Sequence, residues 1–207
     1  MTSLRAKIQG LRRPVAGEAK SFVPHQELYN LLSRPVIYTA INACNITQWY
    51  NLDKLVDRIY TSARRIFAIL VVLGGQEKEI LRFIEHDHFQ ASPLDHKLPF
   101  SKSDLENIVP EIAIDFYEKQ WEFTAPVFTK GVDHRYLDIF TSFPFVGNIK
   151  IGEGGFGEVF KVTLYPGHQD LSLISSGNVS NFNRVMKIGP SYSLFSEQHL
   201  SASSSRK

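Results

Sequence analysis

Between Pro24 and about Phe89, apolar residues recur at intervals of three and four, the spacing that places them on one face of a helix. Leu28, Leu31 and Leu32 form a short stripe. Val36, Ile37, Ala40, Ile41 and Cys44 form the next, behind Pro35, a residue that the first helical turn tolerates. The longest run is Leu52 to Leu73, where Leu52, Leu55, Val56, Ile59, Ala63, Ile66, Phe67 and Leu70 trace one continuous buried face. Asn51 is placed to cap this helix, and Asp53 suits the positive end of its dipole. Gly74-Gly75 ends it, because glycine takes the left-handed conformation without a steric penalty. A shorter helix follows, with Gln76, Glu77 and Glu79 in its first turn and Ile80, Leu81, Ile84 and His88 facing inward. The pattern predicts three or four helices packed as a small bundle, the long helix and its successor forming an antiparallel hairpin.

Past Phe89 the periodicity weakens. Pro93 and Pro99 mark a loop. Ser101 to Ile108 reads as a short helix, with Ser103 as its cap and Glu106 three places on in capping-box spacing, and Pro110 ends it. Glu111 to Gln120 reads as another helical piece. Trp121 to Thr124 alternates as a strand would, and residues 130–148 read as loop. From Val159 to Tyr165 the chain is rich in β-branched and aromatic residues and free of Gly and Pro, a strand signature. Val185-Met186-Lys187-Ile188 is a further strand. The fold class expected is α+β.

Composition and charge exclude several functions. The 207 residues carry a net charge of +2, too little to argue for nucleic acid, and Arg64-Arg65 is one basic pair expected on a solvated helix face. Cys44 is the single cysteine, so the chain has no intramolecular disulfide or thiolate metal cluster, which fits an intracellular, cytoplasmic protein. The apolar run Ile66–Leu73 is far below the roughly 20 residues that a bilayer needs, so no membrane partner is expected. Arg5, Lys7, Arg12, Arg13 and Lys20 against Glu18 suit a solvated, disordered tail better than a transit peptide. Glu85-His86-Asp87-His88 with Asp95 and His96 contains metal-ligating residue types. Residues two apart on a helix diverge, however, so a polar helix end is the expected reading and no metal site is assigned.

The chemistry is concentrated at Ile151-Gly152-Glu153-Gly154-Gly155-Phe156-Gly157-Glu158-Val159. Gly152, Gly154 and Gly157 make a G-x-G-x-x-G pattern, which alone is weak because two unrelated phosphate-binding loops share it. A dinucleotide fold would open a helix directly after the glycines. Here a strand follows, so the order is strand, glycine turn, strand. Backbone N–H groups approach phosphates closely only where no Cβ intervenes, which calls for glycine at the turn. Phe156 at the tip would close over the phosphates, Ile151 and Val159 would flank a base, and Lys187 would meet the α- and β-phosphates. The bland alternative is a glycine-rich hairpin with no ligand and a lysine merely exposed on a strand.

With the Leu52–Glu85 helices, the stretch Phe116-Tyr117-Glu118-Lys119-Gln120-Trp121-Glu122-Phe123-Thr124-Ala125-Pro126-Val127-Phe128, and the glycine motif within Lys150–Val162, the chain resembles a fungal-type protein-kinase-like protein: a helical region ahead of the first strands of a protein kinase N-lobe. The resemblance implies a disordered basic tail at 1–23, a helical domain at 24–125, a linker at 126–148, a partial kinase domain at 149–190 and a Ser-rich disordered tail at 191–207. It implies ATP as a weak or vestigial ligand, with magnesium only alongside ATP, bound by Ile151, Gly152, Gly154, Gly155, Phe156, Gly157, Val159 and Lys187. No catalytic residue is assigned. Asp133-His134-Arg135 resembles the kinase catalytic triplet but precedes the glycine loop instead of following it, and Glu197 is a poor match for the helix-C glutamate. The expectation is a chain truncated before the catalytic loop and inactive alone. A second function class stays open, in which the helical domain is a protein-interaction module and the hairpin is residual.

Overall fold

The computed structural model describes residues 3–44, 46, 51–87, 92–129, 138–154, 157–170 and 183–188. For 154, 157, 170 and 183–188 only the backbone is considered. The chain divides into two compact units, one of Met1–Arg13 with Ser21–Ala125, the other of Pro14–Lys20 with Pro126–Lys207. Helix and strand are both present, so the fold is α+β.

The first unit is helical: α1 (Leu4–Gly10), α2 (His25–Leu31), α3 (Arg34–Ala43), α4 (Leu52–Ser62), α5 (Arg64–Leu73), α6 (Ile80–His86), α7 (Lys102–Ile108) and α8 (Ala113–Gln120). Between Pro24 and Phe89 five short helices among the described residues, α2 to α6, replace the three or four expected; α7 and α8 match the two further helical pieces, and α1 was not expected. The centre is α5, in which every residue from Ile66 to Val72 is buried. A helix apolar on all sides needs neighbours on all sides, and α1, α4, α6 and α8 supply them. Phe83 sets its ring, tilted, with its centroid 5.0 Å from that of Phe116 and 5.5 Å from that of Phe100, closing the core beneath α6 and α8.

Several local expectations hold. The Asn51 side chain accepts the Lys54 N–H at the start of α4. Pro35 lies in the first turn of α3. Gly74 and Gly75 take φ of 84° and 70° after α5.

Others are corrected. Leu52–Leu73 is two helices. Thr61 and Ser62 turn their hydroxyls back to the Asp57 and Arg58 carbonyls, a bond that bends helix ends. Ala63 then leaves helical geometry at φ −138°. The N–H groups of Arg65 and Ile66, opening α5, go to the carboxylate of Asp95, thirty and twenty-nine residues on. Arg64-Arg65 is not on a solvated face. The Arg64 guanidinium lies 4.1 Å from the Tyr29 ring centroid and 4.5 Å from that of Tyr60, and Arg65 reaches the Asp95 backbone carbonyl.

The cap of α7 is Ser101, in a reciprocal capping box with Asp104, rather than Ser103 with Glu106. Trp121–Phe123 is a turn closing α8, not a strand. Of the inward residues named for α6, Ile80 is buried while Leu81 and Ile84 are half-buried; Phe83 takes the central place, and His88 lies outside the described residues.

Residues 1–23, expected as a disordered tail, are structured from Ser3. Ser3 caps α1 through the Ala6 N–H, and Ile8 is fully buried in the helical core. Two two-residue strands follow, β1 (Arg13–Pro14) and β2 (Ser21–Phe22).

The second unit contains β3 (Phe128–Thr129), β4 (Phe145–Gly154), β5 (Gly157–Leu164), β6 (Gln169–Asp170) and β7 (Asn183–Ile188). β3 pairs with β6 in parallel, and β4-β5-β7 form an antiparallel sheet. Within 126–148, expected as a linker, described residues contribute to the core of this unit. Phe143 and Phe145 are buried, with ring centroids 5.0 Å apart, beside buried Val162, Leu164 and His168. The Pro14–Lys20 segment secures the start of β4: Ala16 donates its N–H to the Phe145 carbonyl, and Asn148 Nδ2 donates to the Ala16 carbonyl. Gly17 has φ +78°, and a Cβ there would come within 2.9 Å of the Asn148 amide, so glycine is required. The expected Ser-rich tail at 191–207, Glu197 and Asp133-His134-Arg135 lie outside the described residues.

Candidate nucleotide-binding hairpin

Gly157–Leu164 turns back on Phe145–Gly154 and pairs with it antiparallel. The pairing runs Asn148↔Val162, Ile149↔Lys161 and Lys150↔Phe160, then resumes at Gly152↔Val159, Glu153↔Glu158 and Gly154↔Gly157. The register shift between Lys150 and Gly152 leaves Ile151 as the extra residue of a bulge, which twists and re-aims the strand next to the glycines. Gly155 and Phe156, the remaining residues of the glycine motif, lie outside the described residues.

The third strand extends this ladder. β7 pairs with β5 as Val159↔Lys187, Phe160↔Met186, Lys161↔Val185 and Val162↔Arg184. Directly paired residues share a face, and the pleat alternates faces along each strand. Three rungs therefore lie on one face: Gly152–Val159–Lys187, Ile149–Lys161–Val185 and Gly147–Thr163–Asn183. The intervening rungs occupy the other face. There Phe145, Val162 and Leu164 are buried, so the end of that face away from the glycine turn packs into the unit's core, while Asn148, Lys150, Glu153 and Glu158 nearer the turn are exposed. The first face is the open one: Ile149 is 64% exposed, Lys161 is exposed, and Val159 and Thr163 are half-buried. Ile151, in the bulge beside this face, is 50% exposed.

Of the residues assigned from the sequence, the structure thus gathers Gly152, Val159 and Lys187 on one rung and sets Ile151 next to them. Gly154 and Gly157 close the ladder as its last pair. Lys161 and Ile149 were not singled out by sequence. Their signal was the period-two alternation along β4 and β5, which becomes readable once the register is known.

The fold itself does not demand glycine at position 152. Its φ is not left-handed, and an added Cβ would meet the Val159 Cβ at 3.8 Å, an ordinary contact.

On the core face near the tip, Lys150 Nζ bonds Glu153 Oε2 at 2.8 Å and also reaches the carboxylate of Glu158. The hydrogen bond to Glu153, followed by that to Glu158, raises the Lys150 amine above its ordinary value. The Lys150 bond lowers the Glu153 carboxyl. The clasp fastens β4 to β5 across the bulge.

No protein-family model, curated protein or solved structure matches the chain.

Two of the residues considered for metal in the helical unit, Asp87 and Asp95, have structural partners. Asp87, 3% exposed, takes Arg58 at 2.6 Å on one oxygen and Lys97 at 2.7 Å on the other. Asp95 holds the first turn of α5, and burial pushes its carboxyl upward against the opposing pull of Arg65 and the two N–H donors. Among the described residues, no group of three or more His, Cys, Asp or Glu is arranged to hold a metal ion. Among the same residues, no helix is long and apolar enough to cross a membrane.

Proposed function

We propose that the β4-β5-β7 sheet is a nucleotide-binding hairpin of protein-kinase type, taking ATP on its open face. The observation that carries this reading is the rung Gly152–Val159–Lys187. It puts a residue without a side chain, an apolar side chain and a lysine position side by side on the face that does not pack into the core. A nucleoside triphosphate has complementary parts: an apolar base and an anionic tail. Val159 and Ile151 would contact the base, Lys187 the α- and β-phosphates, and the glycine turn would admit the phosphates to the backbone. Gly152 adds support, since the local backbone and packing give no reason for glycine there, whereas close approach of a ligand does.

The reading assigns binding and no phosphoryl transfer. Magnesium enters only with the nucleotide, and no residue of the sheet is given to it. The helical unit has no part in the chemistry.

Binding is expected to be weak, with Kd about 1 mM or weaker, because only one wall of a site is assigned. Calorimetric or fluorescence titration of the 207-residue chain with ATP, beside Lys187→Gln, tests it. Binding weakened by the substitution supports the reading. Equal binding by both proteins overturns the role given to Lys187, and no binding by either overturns the reading as a whole.

A further inference from the structure

Among the described positions, carboxylates are confined to one face of the β4-β5-β7 sheet, whereas basic positions lie on both: Lys150 and Arg184 on the core-face rungs, Lys161 and Lys187 on the open-face rungs. The sheet's only carboxylates among the described positions, Glu153 and Glu158, form one rung on the core face, where Lys150 engages both. Among the described positions, the open face carries no carboxylate. It carries two lysines, Lys161 on β5 and Lys187 on β7, on successive open-face rungs. Residues offset by two across paired strands lie about 7–8 Å apart, within reach of long side chains. Lys161 is exposed, and its rung neighbours are Ile149 and Val185.

Resting on the nucleotide reading above, we propose that Lys161 is a second phosphate-binding residue of the same site, and that the open face prefers the metal-free nucleotide to its magnesium complex. Charge balance sets this preference. Free ATP carries about four negative charges at neutral pH, and magnesium chelation removes two of them. A metal-bound triphosphate is best held where carboxylates share the cation. A face with two ammonium groups and no carboxylate instead attracts the more highly charged form. Lys161 and Lys187, about one strand-pair diagonal apart, can hold two phosphate groups of one chain, doing for the tail what a cation would otherwise do. Screening by salt should weaken this selectively.

The test is an ATP titration of the full 207-residue chain in EDTA and again in excess magnesium chloride, for wild type, Lys161→Gln, Lys187→Gln and Lys54→Gln. Lys54 is exposed on α4, and its substitution removes the same charge away from the sheet. Circular dichroism confirms that each variant folds. The expected result is binding about threefold or more tighter in EDTA, with Lys161→Gln losing about threefold and narrowing the EDTA–magnesium difference, and Lys54→Gln matching wild type. ATP binding that depends on Lys187, but is stronger with magnesium or indifferent to Lys161→Gln, overturns this inference and leaves the nucleotide reading standing. Loss from Lys54→Gln equal to that from Lys161→Gln reduces the effect to net charge and also overturns it. Absence of ATP binding under both conditions overturns both.

Discussion

Lys187 stands directly opposite Val159 in the β5–β7 ladder, although twenty-seven residues separate them along the chain. Paired positions share a face, so the lysine and the valine that follows the glycine motif belong to one surface. On this account the lysine acts on a ligand and not on the fold. Lys187→Gln should weaken ATP binding about threefold to tenfold while leaving the urea midpoint within experimental error. Parallel titration and denaturation curves check this.

Gly152 gives a complementary expectation. Among the described residues, an added Cβ meets Val159 alone, at 3.8 Å. Gly152→Ala should therefore fold with a thermal midpoint close to wild type and lose nucleotide affinity. Gly17→Ala makes the contrast, because φ of +78° and the Asn148 amide at 2.9 Å oppose any side chain there. That variant should lose about 1 kcal/mol or more of stability, as read by thermal denaturation.

Asp95 should be the most sensitive polar position of the helical unit. It is 5% exposed, and its carboxylate takes the Arg65 and Ile66 N–H groups. Asp95→Ala leaves those two donors unpaired, while the Arg65 guanidinium keeps its bond to the residue's backbone carbonyl, at a cost of about 3 kcal/mol in urea unfolding. Its pH dependence has a definite sign. Burial raises the folded carboxyl above its ordinary value, so folding takes up a proton between the two. The stability that Asp95 contributes is fullest below the ordinary value and falls as pH rises through the folded one. The gap between wild type and Asp95→Ala should accordingly be wider on the acid side of that window than at neutral pH.

The Lys150 clasp predicts the opposite direction for Glu153. Its carboxyl is lowered by Lys150, so its contribution to the hairpin is present above the ordinary glutamate range and lost as pH falls through the folded value. Lys150 is raised by the Glu153 and Glu158 bonds, so its contribution persists through the ordinary lysine range and is lost only above it. The clasp is closed across neutral pH. Carboxyl NMR should show Glu153 titrating below an ordinary glutamate, and Lys150→Gln should move it back up.

What was legible in the sequence was local. The strand after Gly157 was legible because Val159–Tyr165 combines β-branched and aromatic residues without Gly or Pro, and Lys187 because a short apolar strand surrounds it. The Asn51 cap and the Gly74-Gly75 stop depend on neighbours within one turn. The break at Ala63 was not legible, because the groups that open α5 answer to a carboxylate about thirty residues on, and an unbroken apolar stripe crosses the junction. Helix α1 was missed because a seven-residue helix with one buried side chain, Ile8, has the composition of a basic tail. The open face needed the register itself: the bulge at Ile151 changes which residues of β4 share a face with Val159, and no sequence periodicity locates such a bulge.

The central claim concerns one surface of one sheet, and it is tested most directly by following backbone amide resonances of the chain during an ATP titration. The account predicts saturable shifts concentrated at Gly152, Val159, Lys161 and Lys187, with Val162 and Leu164 on the core face unmoved. Shifts confined to the core face or to the helical unit, or none at millimolar ATP, would contradict it.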